Sequence, residues 1–139
     1  MDNRQLTVLT ANSAAHLAAV FELLSRAGLD IRAHCLVDNG DGNCKLRLIA
    51  SDPDAAAQVL RKNRLTAIVN DVVVVEADDR PGGLSRMLKL LEGSDVRIDY
   101  TYTAASEKPG VAVMVFRFSD NRAAEKILAQ CGIGTAPSR

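Results

Sequence analysis

The sequence predicts an α+β protein built as two copies of one small unit, and three observations carry that prediction. Residues 67 or 68 positions apart repeat in identity and in order. β-branched runs alternate with stretches whose apolar residues recur at i, i+3, i+4 and i+7. Turn and helix-start signals (Asn-Gly, Pro-Gly, Asp-Pro) stand at the junctions between them.

The duplication is read by placing Leu17 over Leu84, a shift of 67. Val8 then falls on Val75, Leu23-Leu24 on Leu90-Leu91 and Ile31 on Ile98. Further along the shift becomes 68: Ser51-Asp52 falls on Ser119-Asp120, Ala55-Ala56 on Ala123-Ala124 and Leu60 on Leu128. The extra residue lies between Asp38–Gly42 and its counterpart Ala104–Gly110, a turn region where an insertion disturbs least. The chain is a tandem repeat, with repeat 1 over residues 1–70 and repeat 2 over residues 71–139.

Each repeat reads as strand, helix, strand, strand, helix, strand. Leu6–Thr10 and Val72–Ala77 are the opening strands, the second a near-continuous β-branched run. The first helices carry the stripes Leu17, Val20, Phe21, Leu24 and Leu84, Met87, Leu88, Leu91, each suited to lie on a sheet. Ile31–Val37 and Ile98–Thr103 follow as second strands. The turns Asn39-Gly40-Asp41-Gly42 and Lys108-Pro109-Gly110 lead into third strands at Cys44–Ala50 and Val111–Phe118. Asp52-Pro53 starts a helix, Asp as N-cap and Pro at the first helical position, and Asp120 caps the matching one. Leu65–Val69 supplies a fourth strand in repeat 1. After Cys131-Gly132 only residues 133–139 remain, so the last strand of repeat 2 is expected to be short or absent. The βαββαβ order gives an antiparallel sheet with both helices on one face, the ferredoxin-like arrangement. Its other face and its edges need cover, which predicts packing of the copies and a homodimer.

Composition narrows the function classes. Of 139 residues 47% are apolar and 24% charged, with 17 Lys+Arg against 17 Asp+Glu. Residues 1–70 hold 8 basic and 7 acidic side chains and residues 71–139 hold 9 and 10, so neither half hides a basic block. A general nucleic-acid binder needs such a block to displace counterions from phosphates. No apolar run approaches membrane-spanning length, and the start Met1-Asp2-Asn3-Arg4-Gln5 has no secretory apolar stretch. Cys35, Cys44 and Cys131 are odd in number and form no CxxC, so they read as reduced, buried thiols of a cytoplasmic protein.

One junction carries chemistry. In Asp78-Asp79-Arg80-Pro81-Gly82-Gly83-Leu84, Pro81 has the fixed φ of a first helical turn. Gly82 and Gly83 lack a Cβ, which lets a ligand approach the amides of the helix start. Those amides favour an anion such as an α-carboxylate, and Asp79 offers a carboxylate to an ammonium. Together they present complementary ends to a zwitterion. The plainer reading, Asp79 as an N-cap and Pro-Gly-Gly as a turn, stands beside this one.

The order strand, (D/N)-R-P-G-x-L, helix, then Val96-Arg97-Ile98 resembles the ACT domain, a small-molecule-binding regulatory module. Repeat 2 matches closely. Repeat 1 carries a degraded version, Asn12-Ser13-Ala14-Ala15-His16-Leu17 followed by Leu29-Asp30-Ile31. The resemblance spans Leu6 to Ile133 and implies a stand-alone tandem ACT protein with no catalytic domain and no cofactor. It further implies a ligand held between two ACT units by the strand-one/helix-one loop and the start of strand two. Carried over position by position, the loop residues are Asn12 and Asp79, and the strand-start residues are Asp30 and Arg97. Both repeats depart from the Asn common at these places in amino-acid binders. Asp30 and Asn12 suit an ammonium and Arg97 a carboxylate; Arg97 reads equally as a solvated strand end or an ion-pair partner of Asp95 or Asp99. With Pro81, Gly82, Gly83 and Leu84 these form the candidate site. Repeat 1 lacks the Pro-Gly pair, so unequal sites are expected, the second loop being the more competent.

Other constellations are poorer. His16, His34 and the cysteines do not converge with the spacing of a zinc site, and no nucleophile stands beside a base and an orienting acid. RNA-binding modules share the βαββαβ order but need exposed aromatics among basic residues. Tyr100, Tyr102, Phe116 and Phe118 suggest an aromatic patch on repeat 2, read as interface or pocket lining because no positive charge accompanies it. The expectation is a cytoplasmic, non-enzymatic regulatory protein that binds a small amino acid and no metal, nucleic acid or membrane. Its alternative is a dimerisation or docking module of the same fold whose ligand site has decayed.

Overall fold

The computed structural model describes residues 3–134. The chain falls into two compact units whose boundary lies between Asn70 and Asp71. The first unit runs β1 (Arg4–Ala11), α1 (Ala14–Arg26), β2 (Ile31–Asp38), β3 (Asn43–Ala50), α2 (Pro53–Lys62) and β4 (Thr66–Asp71). Its sheet has the order β2-β3-β1-β4, with β1 and β2 both antiparallel to β3. The second unit runs β5 (Val73–Asp78), α3 (Gly83–Lys89), β6 (Ile98–Ala104), β7 (Val111–Phe118) and α4 (Asn121–Gln130). There β5 and β6 flank β7, again antiparallel. Among the described residues the fold is α+β, with two antiparallel sheets and four helices, consistent with two ferredoxin-like units.

Alternation along the strands builds one core per unit. Leu6 and Val8 of β1 join Leu46, Leu48 and Ala50 of β3 beneath Val20 and Leu24 of α1 and Leu60 of α2. In the second unit Val73, Val75, Met114, Phe116 and Phe118 lie beneath Met87, Leu91, Ala124 and Leu128. Phe116 is wholly buried and stacks on Phe118 with ring centroids 5.1 Å apart. Burying a side chain of that size contributes about 1.5–3 kcal/mol.

Fine details repeat as well. β2 shifts register between Ile31 and Ala33, and β6 does so between Ile98 and Tyr100, 67 positions on. Just before each bulge a serine clasps the strand start. The Ser51 N–H donates to the Asp30 carbonyl at 2.8 Å while its hydroxyl accepts from the Asp30 N–H at 3.0 Å. Ser119 does the same with Arg97, both bonds at 2.9 Å. Asp52 and Asp120 cap their helices by accepting from the N–H groups of Ala55 and Ala123.

The bulge separates the expected aromatic patch. Tyr100 pairs opposite Arg117 and Tyr102 opposite Val115, whereas Phe116 pairs opposite Thr101. The two Tyr rings, 6.4 Å apart, therefore lie on one face of the sheet, and the two Phe are core residues on the other. No four-ring surface exists.

α3 is shorter than the apolar stripe suggests, 7 residues against 13 in α1. The N–H groups of Leu90 and Leu91 reach back only three residues, to Met87 and Leu88, and Gly93 turns the chain at φ +82°. The Ser94 hydroxyl donates to the Leu91 carbonyl at 2.6 Å, competing with continuation of the helix. Leu91 is still buried, but Leu84 is 46% exposed. Beyond α4 the Glu76 N–H of β5 donates to the Gly134 carbonyl at 3.0 Å. The remainder of the expected last strand lies outside the described residues. No helix among the described residues is long and apolar enough to cross a membrane.

Candidate functional site

The loop from β5 to α3 is organised by a turn. The Gly83 N–H donates to the Arg80 carbonyl at 3.0 Å, and Gly82 takes φ +87°, ψ −6°. Proline second and a left-handed glycine third is the chemistry of a type II turn. Pro81 therefore precedes the helix instead of opening its first turn, and Gly82 is the N-cap with no side-chain cap. Gly83 is buried, and a Cβ there would stand 2.0 Å from the Asp78 carbonyl oxygen. The close approach its missing side chain permits is made by the chain's own strand end. With the Gly83 amide spent in the turn, the N–H groups of Leu84 and Ser85 are the ones left without an acceptor among the described residues.

The two adjacent aspartates differ. Asp78 Oδ2 sits 3.1 Å from Arg80 Nη2 and 3.9 Å from Arg86 Nη2. Asp79 anchors the loop through its backbone, its N–H donating to the Gly110 carbonyl at 3.0 Å. No hydrogen bond or ion pair among the described residues engages its exposed carboxylate. Arg97 is likewise exposed, and no ion pair joins it to Asp95 or Asp99 among those residues.

In the first unit the matching groups are committed locally. The Asn12 N–H donates to the Gly42 carbonyl at 2.9 Å, mirroring Asp79, but its amide Nδ2 donates to Asp38 Oδ1 at 2.8 Å. Ser13 caps α1 by accepting from the His16 N–H at 3.2 Å and meets His16 Nδ1 at 2.7 Å. Asp30 pairs with Arg32 at 3.1 Å.

Register places the candidates relative to one another. Asp78 lies opposite Val111 at one end of β7, and Ile98 lies opposite Phe118 at the other. Asp79 and Arg97 lie one residue further out, beside Gly110 and Ser119, and thus stand roughly 30 Å apart along the strand, at about 3.3 Å per residue. Asn12 and Asp30 flank opposite ends of β3 in the same way. A single unit does not bring a loop residue and a strand-start residue to one small ligand.

Beside the β5–α3 loop lies a cavity of about 400 Å³ whose walls include Glu76, Asp78, Gly83, Arg86, Met87 and Ile133. Of these only Gly83 stands among the sequence candidates. The signal that finds Glu76, Asp78 and Arg86 is the difference in charge between the repeats at the same positions. Elsewhere His34 packs edge-on against Phe21 at 5.9 Å. No group of three or more His, Cys, Asp or Glu is placed to hold a metal ion among the described residues.

The profile of the family described as ACT domain pair matches residues 1–132. Among solved structures, protein BT0572 from Bacteroides thetaiotaomicron is similar at 30% identity with TM-score 0.88, covering 96% of this chain and 90% of that one. The ligand-free regulatory subunit of aspartate kinase from Thermus thermophilus is similar at 16% identity with TM-score 0.65, covering 91% and 90%. E. coli aspartokinase III, solved with lysine and aspartate, is similar at 15% identity with TM-score 0.50, over 92% of this chain and 31% of that one. No curated protein matches the sequence.

Proposed function

Since this chain belongs to the ACT domain pair family, we propose that it is a regulatory protein whose ligand is a free amino acid and which carries out no catalytic step. The observation that carries the reading is the β5–α3 loop of the second unit. Its backbone is fixed by the turn and by the Gly110 carbonyl, while the Asp79 carboxylate is left unengaged. A fixed loop with an unspent charge suits recognition, because the ordering is done before the ligand arrives. The lysine and aspartate bound to E. coli aspartokinase III, a protein of related fold, support an amino acid as the ligand class.

Asp79 and Arg97 stand at opposite ends of one strand, so a ligand touching both takes Asp79 from one unit and Arg97 from a facing one. We assign the facing unit to a second copy of the chain in a homodimer. Ligand then favours one packing of the dimer, a population shift transmitted to whatever the protein regulates. Three free cysteines support a reducing compartment, the cytoplasm.

A thermal-shift screen of the full chain against the twenty free amino acids tests this. A true ligand stabilises the folded state by about 2.7 kcal/mol at a hundredfold excess over Kd. If none raises the melting temperature while light scattering finds a dimer, the chain is a docking module instead. The local commitment of Asn12, Ser13 and Asp30 favours that second role for the first unit.

A further inference from the structure

The cavity beside β5 differs in charge from the matching place in the first unit. Glu76, Asp78 and Arg86 line it, and the repeat shift puts Leu9, Ala11 and Ala19 at those three positions in repeat 1. The apolar wall is kept instead: Met87, Leu90 and Ile133 match Val20, Leu23 and Leu65. Three charges have no counterpart where three apolar neighbours do. Packing therefore does not account for them.

Arg86 and Asp78, each with a side chain more than half exposed, make a long charge contact at the mouth of the cavity. Arg86 Nη2 stands 3.9 Å from Asp78 Oδ2, beyond hydrogen-bond reach, and this is the only contact of its guanidinium with an acidic group among the described residues. The guanidinium lies over the second half of the turn: a Cβ at Gly82 would be 2.7 Å from Arg86 Nη1. Arg80 contacts Asp78 through Oδ2, and Lys108 contacts Glu76 through Oε1. Asp78 Oδ1 and Glu76 Oε2 accept from no donor among the described residues.

We propose that this cavity is an amino-acid site contained within the second unit. The α-carboxylate of the ligand binds the Arg86 guanidinium, the α-ammonium binds Asp78, and an apolar side chain lies against Met87, Leu90 and Ile133. A zwitterion entering between Asp78 and Arg86 replaces one long ion contact with two charge-assisted hydrogen bonds, the guanidinium–carboxylate one able to be bidentate. The inference rests on the reading that the ligand is a free amino acid, and it adds a locus that needs no facing unit and has no equivalent in the first.

Calorimetry on the full chain tests it with L-leucine, L-valine and L-methionine, and with isopentylamine and N-acetyl-L-leucine as probes lacking one charge each. L-Leucine should bind, and both one-charge probes should bind at least tenfold more weakly. Arg86→Ala should weaken L-leucine about 10- to 100-fold, Arg86→Lys less, and Arg122→Ala, which removes an exposed charge elsewhere, not at all. Circular dichroism on each variant separates lost binding from lost fold. Unchanged affinity in Arg86→Ala, or loss in Asp79→Ala without loss in Arg86→Ala, overturns this site and leaves the amino-acid reading standing. Binding of polar amino acids but no apolar one also overturns it alone. If none of the twenty amino acids binds the unaltered protein, the reading itself fails and this site with it.

Discussion

Arg64 and Gly132 occupy one place in the two repeats, 68 positions apart, and both take left-handed backbone, at φ +64° and +78°. Each ends a helix in the same way. The Arg64 N–H donates to the Arg61 carbonyl and the Leu65 N–H to Leu60; the Gly132 N–H donates to Ala129 and the Ile133 N–H to Leu128, all at 3.0–3.1 Å. Arg64 is the one described non-glycine residue at positive φ. A Cβ in that region costs about 1–2 kcal/mol, partly offset by the greater freedom of glycine in the unfolded chain, about 0.4–1 kcal/mol. Arg64→Gly should therefore stabilise by about 0.5–1 kcal/mol, read as a higher denaturant midpoint at unchanged slope. Gly132→Arg should move the midpoint the other way. No change in either variant would mean the backbone relaxes out of the left-handed region at no cost.

That pair also marks how much was legible in the sequence. Identities at Val8/Val75, Leu24/Leu91 and Ser51-Asp52/Ser119-Asp120 are enough to align the units, because they sit where packing and capping admit few residues. The order of elements followed from apolar spacing and from the caps Asp52 and Asp120. The Asp99 bulge was not legible, since no residue type requires one, and it is what parts Tyr100 and Tyr102 from Phe116 and Phe118. The early end of α3 was masked by Leu88, Leu90 and Leu91, which keep an apolar rhythm through a turn set by Gly93 and Ser94. Of the candidate site, the need for glycine at positions 82 and 83 was legible, but not that the approaching atom at 83 is the Asp78 carbonyl. Arg86 was hidden because a lone basic residue on a helix reads as solvated surface until the cavity beside it is known.

Gly83→Ala should destabilise the second unit more than Gly82→Ala. At position 83 the new Cβ meets backbone, the Asp78 carbonyl oxygen at 2.0 Å, and strand and helix must separate. Overpacking of this kind costs about 1–3 kcal/mol. At position 82 the obstruction is the mobile tip of Arg86, so the cost is mainly the left-handed backbone, about 1–2 kcal/mol. Chemical denaturation without ligand ranks the two, and a reversed order would show that β5 and α3 part easily.

Cys131, Cys35 and Cys44 should react with iodoacetamide in that order, following exposed, half-buried and buried positions. Burial first, and the Asp38 carboxylate second, push the Cys44 thiol above its ordinary value of 9.0. The folded state therefore holds the Cys44 proton when the unfolded state has released it. Its contribution to stability is complete below pH 9.0 and is lost as pH rises through the higher folded value. Mass spectrometry of peptides after timed alkylation reads the order. Modification of Cys44 as fast as Cys131 under native conditions would contradict the buried position.

Asp52 and Asp120 cap the second helix of each repeat in the same way. Asp52 Oδ1 accepts from the Ala55 N–H at 3.1 Å and Asp120 Oδ1 from the Ala123 N–H at 3.0 Å. Replacing either by Ala removes a partner from an otherwise unpaired first-turn amide and should cost about 1 kcal/mol. The Asn variants separate acceptor from charge. Asn keeps an oxygen in the capping position, so Asp120→Asn should hold most of the stability that Asp120→Ala loses. If Asn loses as much as Ala, attraction of the carboxylate to the helix dipole is the larger effect, and the loss should then shrink as salt is raised. Unfolding midpoints of the four variants at low and high salt decide between the two.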